Sequence, residues 1–200
     1  RIKLETEQGF KWSGLVIQVE DLGLMVGGDV FAAELRPWLW LSTLGEENRI
    51  YQNMTTAQIV EDVLKPLGGT MDVGVTTPKR EYCVQYKESN FAFISRLLEE
   101  DGVFYHFDYE GAVEKLVLST DIMTGADKGT IPFTVANISA FSRADRDTVY
   151  EWATRDRAAS GKVTLWDYDF TKANTPLSAT TATAAQNHGQ IERYQSGGRF

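Results

Sequence analysis

The sequence holds one cysteine, two histidines, five prolines and no apolar run long enough to cross a bilayer. Cys83 has no second thiol, so no internal disulfide staples the fold, and with only His106 and His188 beside it a Cys/His zinc site lacks ligands. The densest apolar runs, Trp38–Leu41 and Phe91–Ile94, fall far short of the roughly 18 residues that a membrane helix needs. Positive charge is also in deficit: 20 Lys and Arg stand against 28 Asp and Glu, a net charge of −8. Phosphate backbones are bound by clustered cations that displace counterions, and no such cluster occurs, which argues against nucleic acid as a partner. No G-x-S-x-G, P-loop, G-x-G-x-x-G or H-E-x-x-H is present, so no catalytic motif declares itself. The chain starts at Arg1 with no charged-then-apolar leader, and the expectation is a piece of a longer polypeptide.

What is there is the composition of a folded protein. Of 200 residues, 42% are hydrophobic and 12% aromatic, enough apolar surface to offset the ordering entropy of a globular core. From Lys11 to about Leu44 the pattern is β-like, broken at Gly23 and Gly27-Gly28. The run Trp38-Leu39-Trp40-Leu41 reads as a strand covered on both faces, with Pro37 placing its start at an edge or bulge. The period then changes. Thr55 followed by Gln58 predicts a capping box, Met54 and Ile59 stand where a hydrophobic staple belongs, and Ile59, Val60, Val63, Leu64 and Leu67 form one stripe ended by Pro66 and Gly68-Gly69.

Tyr82–Tyr86 reads as a strand, and Ser89 or Asn90 caps a second helix with Phe91, Ile94, Leu97 and Leu98 on its apolar face, closing at Gly102. Its last turn, Glu99-Glu100-Asp101, puts negative charge at the negative end of the helix dipole. That conflict reads either as a solvated end partly relieved by Arg96 or as a docking point for a basic partner. Val103–Tyr109 and Val113–Thr120 predict a hairpin, and a second hairpin is expected to join Val149–Asp156 to Lys162–Phe170. From Asn174 the composition turns to Thr, Ala, Gln, Gly and Ser, a connector by composition. No internal repeat of solenoid or propeller length appears.

Few residues invite a chemical role. Asp167 and Asp169, about 7 Å apart on one strand face, fit the carboxylate spacing of an inverting glycosidase, roughly 6.5–9.5 Å. The alternating Trp166, Tyr168 and Phe170 explain them more simply, as the outward half of a half-buried strand. His106 among aromatics and Cys83 within a strand read as packing residues, and His188 in the polar tail receives no role. Trp38 and Trp40 could form a sugar-stacking platform, although flanking leucines favour a core or subunit-interface reading.

The run Arg36-Pro37-Trp38-Leu39-Trp40-Leu41, then Arg49-Ile50-Tyr51-Gln52 and the capped helix, resembles the VgrG family, the spike proteins of type VI secretion systems. The stretch Tyr82–Gly102 carries the most specific likeness, to a "VQY-E-S-x-F-x-F-x-x-RLLEE-x-G" signature, and Val163–Phe170 is similar to a "V-x-L-x-DYDF" strand. The resemblance covers nearly the whole chain. It implies an α+β, mostly β fold of the phage tail hub kind: a partial first tube-like β domain over 1–48, an α+β domain with two helices and a hairpin over 49–128, a second tube-like, barrel-like domain over 129–173, and a connector over 174–200 toward an OB-like neck.

The function implied is non-enzymatic. Three copies would form a ring that caps a tube of Hcp-type protein and carries the OB-like neck, a β-helix needle, and effectors or adaptors. The assembly would be built in the bacterial cytoplasm and exported by the injection machine without a signal peptide. Trp38, Trp40, Trp152, Trp166 and Tyr168 are the interface candidates, with no catalytic, cofactor or metal residue expected. A phage tail hub is the near alternative, and a carbohydrate-active enzyme using Asp167 and Asp169 the distant one.

Overall fold

Alternating strand residues on either side of Gly27-Gly28 fold into an antiparallel sheet of order β1-β2-β3, with β1 (Ile2–Glu5), β2 (Lys11–Met25) and β3 (Gly28–Arg36). This computed structural model describes residues 1–5, 9, 11–25, 27–121, 129–130, 149, 151–155, 157–182 and 191–196. Gly27 and Gly28 take φ values of 119° and 132° at the β2–β3 connection, conformations that side chains with a Cβ rarely adopt.

The all-apolar run after β3 is not the strand that its composition predicts. Trp38–Thr43 is a 3-10 helix. Pro37, at φ −58°, has no N–H for a ladder, and its carbonyl instead accepts from Trp40 N at 2.9 Å. The Ser42 and Thr43 hydroxyls donate to the Leu39 and Trp40 carbonyls at 2.6 and 2.7 Å. Apolar residues in unbroken sequence suit any element buried on all sides, so periodicity could not distinguish the two.

The rest of residues 1–130, one compact unit, is α+β. It comprises β4 (Glu46–Thr55), α1 (Thr56–Leu64), β5 (Thr70–Asp72), β6 (Lys79–Ser89), α2 (Asn90–Glu100), β7 (Phe104–Asp108) and β8 (Lys115–Ser119). The expected capping box forms: Thr55 Oγ1 accepts from Gln58 N at 3.2 Å and Gln58 Oε1 accepts from Thr55 N at 2.9 Å. Gly68, at φ 66°, closes the short 3-10 turn that follows α1. Ser89 caps α2, its hydroxyl accepting from Ala92 N at 3.1 Å.

β4 and β6 pair antiparallel, β7 and β8 form the expected hairpin, and β5 adds to β8 in parallel. The core lies between the two helices, the 3-10 helix, the β4–β6 ribbon and the β5-β8-β7 sheet. Along α2 the buried aromatic is Phe93, stacked on Tyr51 at 5.8 Å, while Phe91 is half-buried. Trp38 is 1% exposed and lies so close to Gly69 that a Cβ there would sit 2.0 Å from its indole.

Residues 131–200 form the second unit, and 131–148 of its expected tube-like domain lie outside the described residues. β9 (Lys162–Asp167) is central in a sheet of order β10-β9-β11, antiparallel to β10 (Leu177–Ala182) and parallel to β11 (Glu192–Ser196). Two expectations are corrected here. The segment 151–155 carries no strand, so β9 takes both its ladder partners from the C-terminal side of the chain and none from that segment. The polar tail from Asn174 supplies two strands instead of a plain connector, because β-branched threonines suit a ladder even where large apolar residues are scarce. Among the described residues the architecture is mostly β with two α-helices and no closed barrel.

Candidate assembly surface

Directly opposed residues of an antiparallel pair share a face, so the register sorts the β1-β2-β3 side chains. Opposed pairs Ile2 with Gly14 and Leu4 with Trp12 fall on one face. Beyond a bulge at Ile17, Val16 with Leu35, Val19 with Ala33, and Phe31 with Asp21 continue that face, and Leu24 with Asp29 joins it past a second irregularity, so the face is largely apolar with two carboxylates at its far end. The opposite face carries Lys3, Glu5, Lys11, Ser13, Leu15, Gln18, Glu20, Glu34 and Arg36. The ion pairs Lys11–Glu5 at 3.6 Å and Arg36–Glu34 lie on this polar face, as the register requires.

The sheet meets its own core by the polar face, through Leu15 and Ser13. Its apolar face is left open: Trp12 is 45% exposed, Phe31 60% and Leu24 81%. A largely apolar face of this extent marks a surface that something else covers. A second open face belongs to the β4–β6 ribbon, where Ile50 opposite Val84, with Tyr82 and Tyr86, turns away from the side that buries Tyr51, Cys83 and Gln85.

The individually expected interface residues divide. Trp38 belongs to the chain's own core and offers no surface to a partner or a sugar, while Trp40 is half-buried. In the second unit Trp152 is 77% exposed, and Trp166 and Tyr168 are also open. The structure therefore does not bring Trp38 and Trp40 together as an exposed platform.

Asp167 and Asp169 do not share a strand face. β9 ends at Asp167, whose carboxylate accepts from Tyr168 N at 2.8 Å. Asp169 caps a short 3-10 turn, Phe170–Lys172, accepting from Thr171 N at 2.8 Å and Thr171 Oγ1 at 2.5 Å. These hydrogen bonds hold Asp169 below the usual carboxylate range, the opposite of what a general acid near neutral pH requires. His106 is exposed and makes a tilted ring contact with Phe104, and Cys83 is buried. His188 lies outside the described residues. Burial pushes the Tyr51, Tyr105 and Tyr109 phenols up. Among the described residues no group of three or more His, Cys, Asp or Glu could hold a metal, and no helix is long and apolar enough to cross a membrane.

The acidic end of α2 is solvated at Glu99 and Glu100, with the expected relief from Arg96, 3.9 Å from Glu100, and its buried Asp101 is met by an internal cation that the local sequence does not name. Arg80, on β6, donates Nη1 to Glu100 at 2.5 Å and Nη2 to Asp101 and the Leu97 carbonyl at 2.9 and 3.2 Å. Its Nε donates to Thr56 Oγ1 at 2.7 Å, in the first turn of α1. Arg96 pairs mainly with Glu88, donating at 2.7 Å, and reaches the Val84 carbonyl at 2.6 Å. In the sequence Arg96 stands beside the acidic turn and is visible as its partner, whereas Arg80 lies 20 residues before Glu100 and is not. The signal was present only as the Lys79-Arg80 pair at the start of β6.

The profile of the family described as phage tail baseplate hub (GPD) matches residues 1–200, the whole chain. The type VI secretion system spike protein VgrG1a of Pseudomonas aeruginosa is 35% identical over 150 residues, covering 74% of this chain and 23% of that protein. Its paralogue VgrG1b is 32% identical over 168 residues, covering 81% and 22%. The chain thus spans under a quarter of the length of these relatives. The actin cross-linking toxin VgrG1 of Vibrio cholerae is 30% identical over 69% of this chain and only 13% of its own length. Among solved structures, the Escherichia coli c3393 protein, described as a type VI secretion component similar to the T4 tail proteins gp27 and gp5, aligns with a TM-score of 0.56 at 24% identity over 67% of this chain and 38% of its own. A tail protein from Neisseria meningitidis aligns with a TM-score of 0.51 at 16% identity, over 92% and 53%.

Proposed function

The chain belongs to the phage tail baseplate hub family, and we propose that it is the hub portion of a puncturing spike of the type VI secretion kind. Three copies assemble into a ring that caps an Hcp-type tube and carries an OB-like neck and needle, with effectors or adaptors as cargo. The spike is built in the cytoplasm and leaves through the machine itself. The observation that carries this reading is the open apolar face of β1-β2-β3, with Trp12, Phe31 and Leu24 exposed. A ring of copies requires surfaces of this kind, whereas catalysis would require a perturbed acid, base or metal cage. Trp40, Trp152, Trp166 and Tyr168 are further contact residues in the assembled hub.

The test uses the full-length protein. Trp12→Ser combined with Phe31→Ser is expected to abolish the trimer in sedimentation and to stop export of the tube protein, with the α1/α2 core still protected from hydrogen exchange. An unchanged trimer mass and unchanged export would overturn the reading. Asp167→Asn with Asp169→Asn should leave both unaltered, and loss of a glycan-hydrolysing activity in that variant would favour the enzyme instead.

A further inference from the structure

Glu114, immediately before β8, is fully buried. Its Oε2 accepts from the Ser13 hydroxyl on β2 at 2.7 Å, and its Oε1 accepts from the backbone N–H of Trp38 at 3.2 Å and lies 3.4 Å from the Arg1 guanidinium. One side chain thus joins the sheet, the start of the 3-10 helix and the end of the β7–β8 hairpin, segments 101 and 76 residues away in sequence. Burying a carboxylate is costly, and its best-attested use is to select one arrangement over others that are equally greasy. The alternative arrangement here is evident. A sheet with one apolar and one polar face would ordinarily pack its apolar face on the nearest core, yet β1-β2-β3 is attached by the polar one.

We infer that Glu114 is a latch that docks the sheet by its polar face and so keeps the apolar face turned out for assembly. Ser13 is the catch: it shares the polar face with Leu15, which packs against the core. Gly14, between them in the chain, has no room for a side chain, since a Cβ there would come within 2.9 Å of the carbonyl oxygen of Arg36 on the neighbouring strand. An apolar residue at 114 would leave the Ser13 hydroxyl and the Trp38 N–H without their acceptor, and nothing polar would then favour the outward orientation. The role of the outward face rests on the hub reading, while the latch itself is a statement about how the sheet is held.

Hydrogen exchange on the full-length protein tests it, with Glu114→Gln and Ser13→Ala as separate variants and Ser13→Thr as the conservative control. Glu114→Gln should lower protection in β1, β2 and β3 by about tenfold or more while α1, α2 and β6 change less than about twofold. Ser13→Ala should give a smaller loss in the same strands, and Ser13→Thr should restore protection. Equal loss across all elements would show a merely structural residue, and no loss in the sheet would show no latch; either result overturns the inference. If Glu114→Gln does not fold, the Ser13 pair decides alone. A localised loss in the sheet combined with an unchanged trimer in the Trp12/Phe31 variant would keep the latch and remove the hub reading.

Discussion

Arg80 reaches across from β6 to place its guanidinium 2.9 Å from Asp101 at the C-terminal end of α2, with both side chains almost wholly buried, at 3% and 5% exposure. The pair sits where the helix carbonyls already concentrate negative charge, and a cation there answers both the dipole and the acidic turn. Because Nε of the same guanidinium also holds Thr56, one residue ties the start of α1 to the end of α2.

Arg80→Met should therefore cost about 3–5 kcal/mol of unfolding free energy, since it strands the buried Asp101 carboxylate in the interior. Arg80→Lys should recover little, because a point charge on a flexible stem cannot serve four acceptors in one plane. Urea titration followed by tryptophan fluorescence reads both, and near-wild-type stability in the lysine variant would refute the planar-fork argument.

Gly69→Ala is expected to be damaging without any change in polarity. The added methyl would sit 2.0 Å from Trp38 Cδ2, and the indole has no room to retreat because it is 1% exposed. Overpacking of this severity should cost about 3 kcal/mol, the top of the usual range. Thermal unfolding measures it. Gly68, whose left-handed φ is needed for the turn but which has no neighbour within 4 Å, should show a smaller penalty from backbone strain alone.

Acidification should loosen the second unit at one identifiable place. Thr164 gives its only hydroxyl proton to Glu192 at 2.5 Å, which obliges Thr180, 3.0 Å away, to donate to Thr164. Together with Lys162 this holds Glu192 below its ordinary value. A carboxylate depressed in the folded state contributes stability that is complete above its unfolded pKa, about 4.3. That contribution fades as the pH falls through the lower folded value. Protection of β11 amides should follow this course, and Thr164→Val should flatten it; a β11 that loosens equally in both proteins would disprove the link.

The helices and their ends were legible because their determinants are local. Thr55 and Gln58 are three residues apart, the α1 stripe repeats within two turns, and Gly68 and Gly102 stop each run by their own φ preference. The run at Trp38–Leu41 was not legible as a helix, because an all-apolar segment has no period to read and its choice depended on Pro37, Gly69 and Glu114. The strands of the polar tail escaped for a different reason: a ladder is made by its partner, and β9 lies outside that segment.

The sequence by itself therefore determined the two α-helices and their caps, the acidic and nearly cysteine-free character, and a family likeness that the whole-chain match supports. Only the tertiary structure decided which face of β1-β2-β3 is exposed, where the cation for the α2 terminus comes from, and that Trp38 is core while Trp152 is surface. The reason is physical. Propensity, capping and period act over a few residues along the chain, whereas orientation and burial depend on contacts such as Arg80 with Asp101 and Glu114 with Ser13, between residues that only folding brings together.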